Sequence, residues 1–280
     1  MRPISSKHAA LCRAIVCTVL LAGSTGCGLA RVALPEGTTL VDRYVRLNHH
    51  VLSLHMAKPR GTPHSLLILY ATGDGGWHRK DLDLFRQLAS TGFPAAGFDA
   101  RDYVTHFDTA DTATPMQLGR DYLTLIDEAR VALDLPSTTK VILVGVSRGA
   151  DLSVVAAGQR LVRREVAGVV AVALTKEEEY IRGLPAPLRR ARPLGADEEA
   201  TMAAPYEAIR RFGRLPLAVI QSTRDQYLPA SEARKLFGID TPFHHLEAID
   251  SDNHSFGGAR SQMYGAVREA LGWIERVAGR

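Results

Sequence analysis

The sequence predicts an α/β protein: a mostly parallel sheet with helices on both faces. Two patterns and one quantity point there. Short apolar runs at Leu66–Tyr70, Ala95–Asp99, Val141–Gly145, Val166–Leu174, Leu215–Gln221 and Phe243–Ile249 alternate with amphipathic helical segments. Several of these runs are apolar at every position, as strands buried on both faces are. The chain has 280 residues, 46% hydrophobic and 23% charged, enough for one large core, and no repeat or low-complexity tract divides it.

In chain order, a distinct leader comes first. Arg2, Lys7 and Arg13 precede the apolar stretch Ala14–Ala22, and "GSTGCG" follows around Cys27. A basic head, a short apolar core and small residues describe a secretory signal over residues 1–26. The apolar core is far shorter than the ~20 residues of a spanning helix. Small residues ending on a cysteine resemble a lipoprotein signal with Cys27 as the lipidated first mature residue. Ser24 stands where a lipobox usually has an aliphatic residue, so plain signal-peptidase cleavage and a retained anchor are the alternatives. Cys12, Cys17 and Cys27 are the only cysteines, so the rest of the chain relies on its core and not on disulfides. Residues 1–26 hold three basic and no acidic residues, which takes the formal charge from +4 to +1 without them. That balance gives no electrostatic support to a nucleic-acid partner.

Residues 27–39 read as a linker and 40–280 as the folded domain. "TTLVDRYVRL" and "VLSLHMA" alternate around Asn48-His49-His50 as a β-hairpin. After the Leu66–Tyr70 strand, Lys80–Ser90 repeats Leu82, Phe85, Leu88 and Ala89 at helical spacing and stops at Gly92. Leu118–Leu133 puts Tyr122, Leu125, Ile126, Ala129 and Leu133 on one helical face. A helix from Ala150 follows the Val141–Gly145 strand, and a helix over about Gln262–Val277 closes the chain. Between Thr175 and Arg214 the alternation lapses into charged, Pro-rich sequence that reads as a lid over one end of the sheet. Arg182, Arg189, Arg190 and Arg192 lie there with Glu177–Glu179, a mixed-charge surface.

The chemistry centres on "VILVGVSRGAD", residues 141–151, which holds Gly145-x-Ser147-x-Gly149 between a buried strand and a helix. A strand-to-helix turn this sharp needs glycines to clear the neighbouring backbone, and it lifts a serine Oγ to the carboxyl end of the sheet. Ser147 is therefore the candidate nucleophile. It needs a base, and the base an orienting acid, in the chain order Ser, Asp or Glu, His. "STRDQYLP" puts Asp225 in the loop after the Leu215–Gln221 strand, and "DSDNHSFGG" puts His254 in the loop after the next. His244 and His245 lie inside that strand, so His254 alone is placed to reach a site above the sheet. The expected triad is Ser147, His254 and Asp225.

With these three stretches the chain resembles the α/β-hydrolase superfamily from about residue 40 to its end. In that fold the oxyanion hole uses the N–H after the nucleophile and one from the loop after an early strand. Here those are Arg148 and the loop "TGDGGW" at 72–77, most directly Asp74 with Gly73 beside it. A phosphate-binding role for this loop is disfavoured, because no Lys-Ser/Thr follows and Asp74 would repel the ligand.

"TGDGGW", "GFDARDY" at 97–103 and "GVSRGAD" at 145–151 further resemble the VirJ/AcvB family of bacterial periplasmic hydrolases. That family is associated with virulence and with hydrolysis of lysyl-phosphatidylglycerol. The resemblance implies a lipid or small-molecule ester substrate and a membrane-associated periplasmic location; no metal or cofactor is implied. Asp74, Trp77, Asp99 and Asp151 match family positions and are the candidate substrate contacts; the carboxylates would ring the pocket mouth for a cationic head group. Competing readings are local: a first-turn carboxylate suits Asp151, and Asp99 pairs with Arg101. Arg148 is either neutralised by Asp151 or meets an anionic group such as a lipid phosphate. A carboxylesterase or acyltransferase without a lipid substrate, and a non-catalytic periplasmic binding protein on the same fold, are the alternatives. The sequence leaves the oligomeric state open.

Overall fold

The computed structural model describes residues 34, 36–47, 50–60, 64–105, 113–182 and 202–279; the expected leader with Cys27, Asn48-His49 of the hairpin turn, and 183–201 of the expected lid lie outside the described residues. The first two strands, β1 (Thr39–Arg46) and β2 (Val51–Lys58), pair antiparallel from Thr39 opposite Lys58 to Arg46 opposite Val51. The others of the main sheet are β3 (Leu66–Ala71), β4 (Ala95–Phe98), β5 (Lys140–Val146), β6 (Val166–Val172), β9 (Leu217–Ser222) and β10 (His244–Ile249). Their order in space is β1-β2-β4-β3-β5-β6-β9-β10. Every pair from β4 to β10 is parallel, and β2 runs antiparallel to β4. All the loops leaving the carboxyl ends of β3, β5, β6, β9 and β10 therefore open on one edge of the sheet.

The unbroken apolar runs have a direct cause. In β3, Leu67, Leu69 and Ala71 face one helical layer while Leu66, Ile68 and Tyr70 face the other. In β5, Val141 and Leu143 take the first side, Ile142 and Val144 the second. Each such Val, Leu or Ile side chain contributes roughly 1.5–3 kcal/mol when fully buried. The first layer holds α2 (Ala100–Thr105), α3 (Pro115–Ala132), α4 (Arg148–Ala157), α5 (Arg160–Glu165), α6 (Pro205–Ile209) and α7 (Ala230–Phe237); the second holds α1 (Arg79–Ser90) and α8 (Arg260–Ala278).

The structure corrects several readings of the sequence. The buried face of α1 is Leu84, Phe85, Leu88 and Ala89, and Leu82 points outward at 39% exposure. Two adjacent pairs one turn apart make this stripe, which the single spacing from Leu82 misses. The short helices α2 and α7 are additions, and α5 splits off from the helix that begins at Arg148. In the expected lid, β7 (Glu178–Arg182) and β8 (Met202–Ala203) form a small antiparallel pair. Residues from Pro205 onward belong to the core instead: Tyr206, Ile209 and Phe212 are buried with the first layer. Among the described residues, no helix is long and apolar enough to cross a membrane.

Candidate active site

Ser147 sits between β5 and α4 with φ 51° and ψ −121°, a backbone conformation unusual for a residue with a Cβ. Such a residue costs on the order of 1–3 kcal/mol and persists only where its surroundings over-determine it. Here the Ser147 N–H donates to Val172 O at 2.8 Å, and Ser147 O accepts from Ala150 N at 2.8 Å and Asp151 N at 3.0 Å. The two glycines explain the rest. A Cβ on Gly145 would lie 2.2 Å from Gly149 O, and one on Gly149 would lie 2.2 Å from Ala71 O and 2.4 Å from Thr72 O. The helix thus leaves the strand, and crosses the end of β3, at separations only hydrogen allows.

Asp225 and His254 come from the loops after β9 and β10, whose ends lie level because Ser222 pairs with Ile249. His254 Nδ1 lies 2.7 Å from Asp225 Oδ2, and its Nε2 lies 2.8 Å from Ser147 Oγ. Asp225 is 1% exposed. Its Oδ1 accepts from Tyr227 N at 2.8 Å and Leu228 N at 3.3 Å, and its Oδ2 also accepts from Gln221 Nε2 at 3.1 Å. The acid is thus buried and ringed by donors, which fix its orientation toward the imidazole. The imidazole is held by neighbours the sequence did not single out. Gln226 Oε1 accepts the His254 N–H at 3.1 Å, and the Tyr227 ring packs edge-on to the imidazole with centroids 4.8 Å apart. Asn253 Oδ1 accepts from Ser255 N and Gly257 N, and Phe256 anchors the loop in the core. Their only signal in the sequence is adjacency to the triad residues.

The glycine-rich loop turns through Gly76 N to Gly73 O at 3.0 Å. Gly76 has φ +65°, and a Cβ there would meet Asp99 Oδ2 at 2.3 Å. Asp99 is thereby explained. Its Oδ2 accepts from Trp77 N at 3.2 Å and its Oδ1 from Asp102 N at 3.0 Å, so it clamps the loop and caps α2. Neither Asp99 nor Trp77 lines the cavity at the triad. The Trp77 ring packs against His55, Phe85 and Tyr70, with centroids 5.3, 5.5 and 5.9 Å away. These two expected substrate contacts are therefore loop and core residues.

Asp74 and Asp151 do line that cavity, about 790 Å³ in volume, with Ser147, Arg148 and His254. Both carboxylates already have protein partners. Asp151, 2% exposed, accepts from Thr175 N at 2.9 Å and Thr175 Oγ1 at 2.7 Å. Arg148 pairs with Asp74, Nε to Oδ1 3.0 Å, through charge more than an aligned hydrogen bond. The pair ties together the two residues whose N–H groups are the expected oxyanion donors. Gly73 drops out of that role, because its N–H is donated to Asp81 Oδ1 at 2.9 Å.

Asp81 is the residue of the cavity wall that the sequence reading missed. Tyr70 donates its phenol to the same oxygen at 2.7 Å. Burial pushes the Asp81 carboxyl above its ordinary range, against the opposing pull of the Gly73 and Tyr70 hydrogen bonds. Burial, followed by the Asp81 charge, pushes the Tyr70 phenol up as well. Arg79, Lys80 and Arg260 add positive charge around the same cavity. Among the described residues, no His, Cys, Asp and Glu cluster into a metal-ligand set.

The comparisons with known proteins agree with this architecture. The family described as bacterial virulence protein (VirJ) matches residues 65–230, a stretch with Ser147 and Asp225 that stops short of His254. No curated protein matches the chain. Among solved structures, Est1E from Butyrivibrio proteoclasticus superposes with TM-score 0.61 at 15% identity, covering 83% of this chain and 98% of its own. An esterase from Pyrococcus furiosus gives 0.60 at 14% identity, covering 85% and 93%. The esterase domain of a Rhodothermus marinus protein gives 0.57 at 18% identity, covering 85% and 99%. At these identities the likeness is one of fold, the α/β-hydrolase fold.

Proposed function

The chain belongs to the VirJ family of bacterial virulence proteins, and from that premise we propose that it is an exported serine hydrolase of carboxylic esters. The observation that carries the proposal is the unbroken chain from Asp225 through His254 to Ser147, 2.7 and 2.8 Å long at its two links. The esterases that share the fold support the same reaction class.

In the proposed mechanism Ser147 Oγ attacks the ester carbonyl while His254 Nε2 takes its proton. Asp225 holds the Nδ1–H and so fixes the tautomer that leaves Nε2 as acceptor. The carbonyl oxygen, now negative, is met by the N–H groups of Arg148 and Asp74. Collapse of the intermediate breaks the bond to the alcohol, which leaves with the proton from His254. Water then loses a proton to His254, attacks the acyl-enzyme, and releases the acid and Ser147.

For the substrate we propose an aminoacyl ester of an anionic phospholipid, of the lysyl-phosphatidylglycerol type. Family membership supports this, as do Arg79, Lys80 and Arg260 around the cavity, which suit a phosphate. The commitment of Asp74, Asp99 and Asp151 to protein donors favours a second reading, a carboxylesterase with no cationic substrate. Export and a lipid anchor at Cys27 complete the proposal, supported by the leader's basic head, apolar core and terminal cysteine.

Ser147→Ala is expected to lower hydrolysis of a p-nitrophenyl ester by about 10³-fold or more and to abolish labelling by a fluorophosphonate. A variant that keeps the wild-type rate would refute the mechanism. Turnover of lysyl-phosphatidylglycerol against phosphatidylglycerol and simple acyl esters decides between the two substrates. Cys27→Ser is expected to leave the membrane fraction for the soluble one; unchanged membrane retention would dismiss the anchor.

A further inference from the structure

Gly73 has no Cβ to restrict its backbone, so the direction of its two flanking peptide units must be fixed from outside. Both are fixed. The peptide before it gives its N–H to Asp81 Oδ1 at 2.9 Å. The peptide after it has its carbonyl, Gly73 O, accepting from Gly76 N at 3.0 Å and Thr72 Oγ1 at 3.2 Å. No peptide bond among the described residues is cis. In a trans peptide the C=O and N–H point opposite ways, so fixing Gly73 O fixes the Asp74 N–H.

Asp81 is itself held at two ends. It stands in the first turn of α1, where the helix dipole favours a carboxylate. Its Oδ1 also takes the phenol of Tyr70 at 2.7 Å, from a ring fully buried in β3. The same oxygen thus joins strand, helix and loop beside Ser147, and Asp81 lines the cavity there.

We propose that Asp81 is a positioning residue for the oxyanion-binding loop. By holding the Gly73 N–H and the Tyr70 phenol on one oxygen, it sets the loop so that the Asp74 N–H faces the carbonyl oxygen of an ester bound at Ser147. This rests on the reading of Ser147 as the ester-cleaving nucleophile. The role needs an acceptor oxygen at that point and not a charge, which separates it from recognition of a cationic substrate.

The test uses neutral p-nitrophenyl butyrate and four variants of the full chain. Loss of one oxyanion donor costs about 10²–10³ in kcat, so displacing one by Asp81→Ala is expected to lower kcat about 10- to 100-fold. KM should stay within about threefold, since the ground-state ester makes little use of that donor. Asp81→Asn keeps an oxygen for Gly73 N–H and is expected to recover most of the rate. Tyr70→Phe leaves the Gly73 bond intact and should fall between Asp81→Asn and Asp81→Ala. Thermal unfolding of each variant checks that it is folded at the assay temperature; if Asp81→Ala is not, the Asn and Phe variants carry the comparison. The proposal is overturned if Asp81→Ala keeps kcat within threefold, if Asp81→Asn is as damaged as Asp81→Ala, if Tyr70→Phe is more damaged than either, or if losses appear only with cationic esters. Ser147→Ala retaining activity would instead overturn the underlying reading, and the two failures are distinct.

Discussion

Two glycine-bearing turns face each other across the site, and they need their glycines for different reasons. At the elbow, Gly145 and Gly149 clear backbone: the nearest atoms to an added Cβ are Gly149 O and Ala71 O, each at 2.2 Å. In the loop after β3, Gly75 and Gly76 clear side chains, the His78 ring at 2.8 Å and the Asp99 carboxylate at 2.3 Å. Backbone locked in a sheet and a helix cannot withdraw, whereas a side chain can rotate away. The elbow is therefore a fixed mounting and the loop an adjustable one, set by Asp81, Asp99 and Arg148.

The contrast breaks most directly under substitution of the glycines. Gly149→Ala is expected to remove most folded protein, because the ~1–3 kcal/mol typical of overpacking applies where neighbours can shift and here the clash is with backbone on an adjacent strand. Gly76→Ala should cost about 1–3 kcal/mol, from positive φ and from the Asp99 contact. Asp99→Ala in the same chain should return the contact part and leave the φ part. Chemical denaturation of the single and double variants measures this; a Gly149→Ala protein as stable as Gly76→Ala would erase the distinction.

A smaller effect probes the loop's electrostatics. Burial raises the Asp81 carboxyl in the folded protein. Its ionised form is therefore disfavoured by folding, and stability falls as pH rises from the ordinary carboxyl range through the raised value. Asp81→Asn should therefore be more stable than wild type at neutral pH, with the advantage vanishing at pH below that window. Urea unfolding at neutral and acidic pH tests the sign, and an advantage that grows on acidification would contradict it.

The smallest effect concerns Asp74. Its side chain is 65% exposed while its partner Arg148 is 13% exposed. An ion pair this open is worth about 0–1 kcal/mol. Asp74→Asn should cost little stability and slow lysyl and neutral esters alike, through the lost tie to Arg148. A loss confined to lysyl esters would return Asp74 to the role of cation contact.

The same contrast explains what could be read in the sequence. Ser147, Asp225 and His254 were legible because each follows an apolar run, and a parallel sheet brings the carboxyl ends of such runs to one edge. The fold class was legible for that reason too, with strand bounds shifted by two residues at most. The carboxylates were not. Asp99 resembles a strand-end site residue until Trp77 N, Asp102 N and Gly76 are seen around it. Asp81 resembles any acidic residue in a first helical turn, and only the contacts to Gly73 and Tyr70 tell it apart. Arg148 and Asp74 lie 74 positions apart in the chain, and no local pattern pairs them.

His254 follows β10, the last strand of the chain and the outer edge of the sheet. A ribosome therefore completes Ser147, its turn and Asp225 before His254 exists. In the proposed mechanism Ser147 lacks its proton acceptor until His254 is in place. If the proposed mechanism holds, hydrolytic competence reports that the last strand and the loop after it have docked.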